Sequence, residues 1–142
     1  MTTCSKIYRD IPFAHRAPGH DGHCKTIHGH NWTFEFEFEG EKDPATGFVV
    51  DFGTLQPLKA WLDLFDHALV LSMDDPHRNE IKELLAKLGI DNVMVVEDCS
   101  CEGLAELALC SGRAIVEELT KYRATVKKVT LWEDSKNFTT AT

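Results

Sequence analysis

From His28 to Glu39 the chain alternates without interruption. His28, His30, Trp32, Phe34, Phe36 and Phe38 hold the even positions, and Gly29, Asn31, Thr33, Glu35, Glu37 and Glu39 the odd ones. A period of two belongs to a half-buried β-strand, in which side chains two apart share a face. The even row is therefore predicted to face the core and the glutamates to meet water, with both histidines continuing the apolar row. Upstream, Ile7, Ile11, Phe13 and His15 share a parity, interrupted by Arg9, and predict a partner strand whose inward face ends in a third histidine. Arg16 to Ile27, with Pro18, Gly19 and Gly22, reads as the connecting loop.

Beyond the polar turn at 41–47, the run Phe48-Val49-Val50-Asp51-Phe52 reads as a short strand. A helical stripe of Leu55, Leu58, Trp61, Leu62 and Phe65 starts near Thr54, with Pro57 in its first turn, where proline is tolerated, and Asp66-His67 at its end. A second stripe, Ile81, Leu84, Leu85 and Leu88, stops at Gly89. A strand around Val93 to Val96 follows, then a loop to Cys101, a long helix carrying Leu104, Leu107, Ala108, Ile115 and Leu119, and a last strand from about Ala124 to Glu133. The order β-β-β-α-α-β-α-β, without repeat or linker, predicts one α+β domain over residues 1–142.

Composition narrows the function classes. The 142 residues hold 15 Lys+Arg against 23 Asp+Glu, a formal charge of −8, which disfavours affinity for nucleic acid built on phosphate neutralisation. No apolar run approaches the ~20 residues that span a bilayer, and Met1 to Lys6 lack a signal peptide's apolar stretch. Five cysteines, an odd number, suit a reducing compartment, so a cytoplasmic location without a membrane partner is expected.

Five of the seven histidines fall between His15 and His30. Three imidazoles on the inward ends of two neighbouring strands can converge on one point, and a site with three protein ligands leaves a fourth position open, as catalytic Zn²⁺ requires. The competing account is a set of core histidines satisfied by backbone carbonyls. Cys24, four residues before His28, is either a base or nucleophile activated by a nearby cation or a fourth ligand that closes the site. Cys99 and Cys101, a CxC in an acidic loop, make a second metal site conceivable, while Cys4 and Cys110 look isolated. Asp66 beside His67 pairs a carboxylate with an imidazole it can orient for proton transfer.

Taken together, Phe13-Ala14-His15-Arg16, Cys24-Lys25-Thr26-Ile27-His28-Gly29-His30-Asn31, Asp51-Phe52, Asp66-His67 and Trp132-Glu133 occur in an order that resembles the 6-pyruvoyltetrahydropterin and 6-carboxytetrahydropterin synthase family. The Cys-x3-His-Gly-His spacing resembles the bacterial 6-carboxytetrahydropterin synthases of queuosine (7-deazaguanine) biosynthesis; the 6-pyruvoyl enzymes typically have a longer interval. The resemblance implies a tunnelling fold: an antiparallel sheet with helices on one face, joined into an oligomeric barrel with active sites at subunit interfaces, a hexamer among the possible assemblies.

It further implies that His15, His28 and His30 hold Zn²⁺ and that Cys24 accepts a proton. His67 with Asp66 would be the second acid/base group, and Glu133 would anchor the pterin ring and join the relay. Glu102 resembles the acid of a segment that in relatives reads Pro-Thr-Ser-Glu-Asn. Here that segment is Cys99-Ser100-Cys101-Glu102-Gly103; Ser72, where Asn is common, and His23, where Lys is common, are smaller departures. The implied reaction converts 7,8-dihydroneopterin triphosphate to 6-carboxy-5,6,7,8-tetrahydropterin, acetaldehyde and triphosphate, with Arg16 and Lys25 as positional candidates for meeting the anion. Two alternatives stay open: 6-pyruvoyltetrahydropterin formation from the same substrate, and a non-catalytic zinc-binding assembly protein with Cys24 as fourth ligand.

Overall fold

The computed structural model describes residues 1–142. The long alternating segment forms β2 (His28–Gly40), hydrogen-bonded along its length to β1 (Thr2–His15), so that His15 lies opposite His28 and Phe13 opposite His30. β3 (Leu69–Ser72), β4 (Val93–Val96), β5 (Ala124–Trp132) and β6 (Phe138–Ala141) complete a six-stranded sheet in the order β4-β3-β1-β2-β5-β6. The β1, β2, β5 and β6 strands are antiparallel, as expected. At the other edge the sheet becomes mixed: β3 runs parallel to β1 through the single pair Ala14 and Leu69, and β4 runs parallel to β3.

Helices α1 (Gln56–Asp63), α2 (Arg78–Lys87) and α3 (Cys101–Leu119) link these strands. Trp32, Phe34, Phe36 and Phe38 are fully buried in one core with Leu58 and Leu62 of α1 and with Leu104, Ala108 and Val116 of α3. Each such side chain contributes roughly 1.5–3 kcal/mol when removed from water. Gly112 permits the close approach of α3: a Cβ there would lie 3.0 Å from the Phe36 ring. α2 buries no residue fully, and Gly89 follows its end at φ +73°, the left-handed turn expected after a helix. No helix is long and apolar enough to cross a membrane.

Three expectations change. The inward row of β1 is not continuous, because a bulge between Tyr8 and Ile11 inserts a residue, with Asp10 at φ 58°. Ile7 is therefore exposed, and Cys4 and Tyr8 take the inward positions at that end. Residues Phe48 to Phe52 form no strand: Val49 and Val50 are buried, but the Phe48 and Val49 carbonyls accept from the Arg123 guanidinium. Asp51 then caps a 3₁₀ turn, Phe52–Thr54, ahead of α1. Finally, β3 and β6 join the predicted set, and β5 stops at Trp132 with Glu133 in the hairpin loop to β6.

Candidate metal centre and surrounding pockets

The ends of β1 and β2 bring His15, His28 and His30 together, with one nitrogen of each within 4.8 Å of the others. Trp32 forms the floor: it stacks on Phe13 at 4.4 Å, donates to the Phe13 carbonyl, and presents its plane edge-on to His15 and His30. Backbone carbonyls settle two of the tautomers. His15 Nδ1 donates to the Cys99 carbonyl at 2.7 Å and His28 Nδ1 donates to the Thr26 carbonyl at 2.6 Å. In a neutral imidazole this leaves Nε2 as the acceptor, the arrangement found around metal-binding histidines.

What faces the His15 acceptor is another acceptor. Glu133 Oε1 lies 3.4 Å from both His15 Nε2 and His30 Nε2, and those two nitrogens are buried without a hydrogen-bond partner. Burial pushes the His15 pKa below the ordinary histidine value, against the opposing pull of its bond to the Cys99 carbonyl, which keeps the ring neutral at physiological pH. A carboxylate facing a neutral nitrogen lone pair needs a proton or a cation between them, and three clustered imidazoles suit a borderline divalent ion, so this donor set could hold a metal ion.

His67 stands apart from this group. Its backbone adopts φ 59° and is pinned by donation to the Pro12 carbonyl and by Asn92, while its Nδ1 donates to Asp66 at 2.6 Å. His67 and His30 line one cavity of about 430 Å³. Glu133 borders two more: one of about 600 Å³ that reaches the β1 bulge at Arg9 and Asp10, and one of about 340 Å³ shared with Glu102, Lys136 and Asn137. The Glu133 loop is ordered by Asp134, whose side chain accepts from the Lys136 and Asn137 amides.

Cys24 is exposed on a 3₁₀ turn, His23–Lys25, and is not part of the histidine group. Arg16 corrects its positional assignment: its guanidinium forms a two-point pair with Asp75 at 2.6 and 3.0 Å, so it is already committed within the fold. Lys25 is exposed. The two CxC thiols do not join in a second metal site. Cys99 is buried against Ser72, and burial pushes the half-buried Cys101 thiol up to about 11, with Glu133 and Glu102 adding to the effect. Ser72 and Cys99, both departures from the family pattern, thus touch each other. The carbonyls of Thr26 and Cys99 leave no mark on residue type because every residue carries one, and Asp75 belongs to no motif.

The 6-pyruvoyl tetrahydropterin synthase family model matches residues 5–142. The chain belongs to this family. Among its relatives, a 6-carboxy-5,6,7,8-tetrahydropterin synthase of Haemophilus influenzae is 28% identical over 94% of this chain and 95% of its own length. One of the same name from Rickettsia typhi is 40% identical over 53% of this chain; there, as in the Rickettsia felis relative, the match spans only about half of the relative's length. The fold is similar to that of an uncharacterized Wolinella succinogenes protein, with a TM-score of 0.81 at 19% identity covering 99% of this chain and 97% of the other. It is also similar to 6-pyruvoyl tetrahydropterin synthase of Caenorhabditis elegans, with a TM-score of 0.67 at 21% identity covering 99% and 94%. The protein is therefore a tetrahydropterin synthase family member with the tunnelling fold and a histidine group that could hold a metal ion.

Proposed function

We propose that the protein is a zinc-dependent 6-carboxy-5,6,7,8-tetrahydropterin synthase, a lyase that acts on 7,8-dihydroneopterin triphosphate in 7-deazaguanine biosynthesis. The observation that carries the metal-dependent reading is the pair of buried, unpartnered Nε2 atoms of His15 and His30 facing Glu133. The 6-carboxy product is supported by the names of the Haemophilus influenzae and Rickettsia relatives.

His15, His28 and His30 would hold Zn²⁺, which when bound supplies a Lewis acid for substrate side-chain hydroxyls. Cys24 is exposed, so its sulfur can meet a substrate proton. The 2.6 Å bond to Asp66 orients His67 and leaves its Nε2 as the atom that would exchange a proton with substrate; the residue lines a cavity together with His30. Glu133 and Glu102 share a cavity wall, where a carboxylate can accept two parallel hydrogen bonds from the guanidine-like edge of a pterin. Assembly as a homo-oligomer in the cytoplasm belongs to the same reading.

Incubation with dihydroneopterin triphosphate is expected to release acetaldehyde and triphosphate in equal amounts. Triphosphate without acetaldehyde would replace this reading with the 6-pyruvoyl reaction, whose name the family model carries. Cys24→Ala is expected to keep one equivalent of zinc and lose turnover; loss of zinc would instead make Cys24 a ligand.

A further inference from the structure

Every polar group of Cys99 is engaged, although the residue is only 1% exposed. Its N–H donates to Ser72 Oγ at 2.9 Å, and the Ser72 hydroxyl donates back to Cys99 Sγ at 3.1 Å. The thiol in turn reaches the Arg16 carbonyl at 3.3 Å, one residue beyond His15, and the Cys99 carbonyl takes the His15 Nδ1 proton. Ser72 closes β3, and Cys99 lies in the connection between β4 and α3, so the pair ties a loop to the end of a strand.

We infer that the Ser72–Cys99 pair positions the metal ligand His15. By fixing the Cys99 carbonyl, the pair fixes the imidazole's proton on Nδ1 and so decides that Nε2 faces the centre. Neither residue touches the ion or the substrate; both act through His15. Held from two sides, the carbonyl cannot swing away and let the ring turn over or change tautomer. Outer partners of metal-bound histidines act in this way, and their loss typically weakens metal affinity 10–100-fold. The inference rests on the reading of the three histidines as a zinc site.

The test compares the wild-type protein with Ser72→Ala and Cys99→Ser, using chelator competition for zinc and the side-chain nitrogen resonances of His15 in the zinc-loaded state. Ser72→Ala is expected to weaken zinc binding about 10–100-fold and to add a second His15 tautomer. Cys99→Ser keeps a donor and an acceptor at the γ position and is expected to stay within about threefold of wild type. A folded Ser72→Ala protein within about twofold of wild type overturns the inference while leaving the zinc site standing. A Cys99→Ser loss as large as that of Ser72→Ala overturns it too. So does a wild-type complex in which His15 binds through Nδ1, a measurement that needs no variant and holds even if Ser72→Ala fails to fold. Failure of the wild-type protein to bind zinc overturns this inference and the zinc reading together.

Discussion

The inward row of β2 has two halves that follow the same backbone rule and meet different surroundings. Trp32, Phe34, Phe36 and Phe38 are fully buried under α1 and α3, whereas His28 and His30, in the same row, are only partly buried, and His30 looks toward Glu133 and open cavities. Strand geometry thus decides which way a side chain points, and the cover above it decides whether that position becomes core or site. At the covered half the side chains are the cover's partners. At the open half that cover is missing, and the buried His30 Nε2 has no hydrogen-bond partner.

The strongest test of this contrast substitutes one residue from each half. Phe36→Ala leaves a void beneath Gly112 and is expected to cost about 3–5 kcal/mol in denaturant unfolding. His30→Ala in the metal-free protein removes an unpartnered nitrogen and is expected to change stability by less than ~1 kcal/mol while abolishing stoichiometric zinc binding. Equal destabilisation by the two variants would mean that both halves are packing and would sink the comparison.

A smaller effect is expected from the scaffold of the open half. Asp75, whose side chain is buried, has its pKa lowered by the Arg16 guanidinium, burial opposing this. A depressed folded-state pKa contributes stability that is complete above the unfolded carboxylate value near ~3.9 and is lost as pH falls through the folded-state value. Asp75→Asn is therefore expected to cost about 1–3 kcal/mol at neutral pH, with the gap to wild type closing as pH falls below the unfolded carboxylate value. A gap that stays constant with pH would assign the role of Asp75 to shape rather than charge.

The smallest effect is a difference in labelling. Alkylation at mildly basic pH is expected to modify the exposed Cys24 and Cys110 first and to spare Cys99, which is buried, and Cys101, whose thiol burial has pushed up to about 11. Mass spectrometry of digested protein reads this directly. Early modification of Cys99 would show the open half to be looser than its hydrogen bonds suggest.

Much of the covered half was legible in the chain, because an unbroken alternation of twelve residues allows one strand and one facing. The parity of β1 was legible only beyond the bulge; Ile7 misled because one inserted residue exchanges the faces. Val49 and Val50 read as a strand because they are apolar and buried, yet their backbone is served by Arg123, a residue more than seventy positions away. The four residues of β3 are too few to carry a period, and β6, Phe-Thr-Thr-Ala, has little apolar character. The histidines of the open half announced themselves by spacing. Their carbonyl partners did not, and neither did the engagement of Arg16 by Asp75.

The contact between His15 and Cys99 also has a meaning in time. All three imidazoles lie within the first thirty residues, while the carbonyl that orients His15 is 84 residues further along. A chain emerging from the ribosome displays its three histidines before that carbonyl has been made, and loops of this length close only when the surrounding structure rewards them. During that interval the imidazoles are free to carry the proton on either nitrogen. The orientation of His15 by this carbonyl is therefore available only once the segment before α3 has been made and docked, well after the histidines themselves.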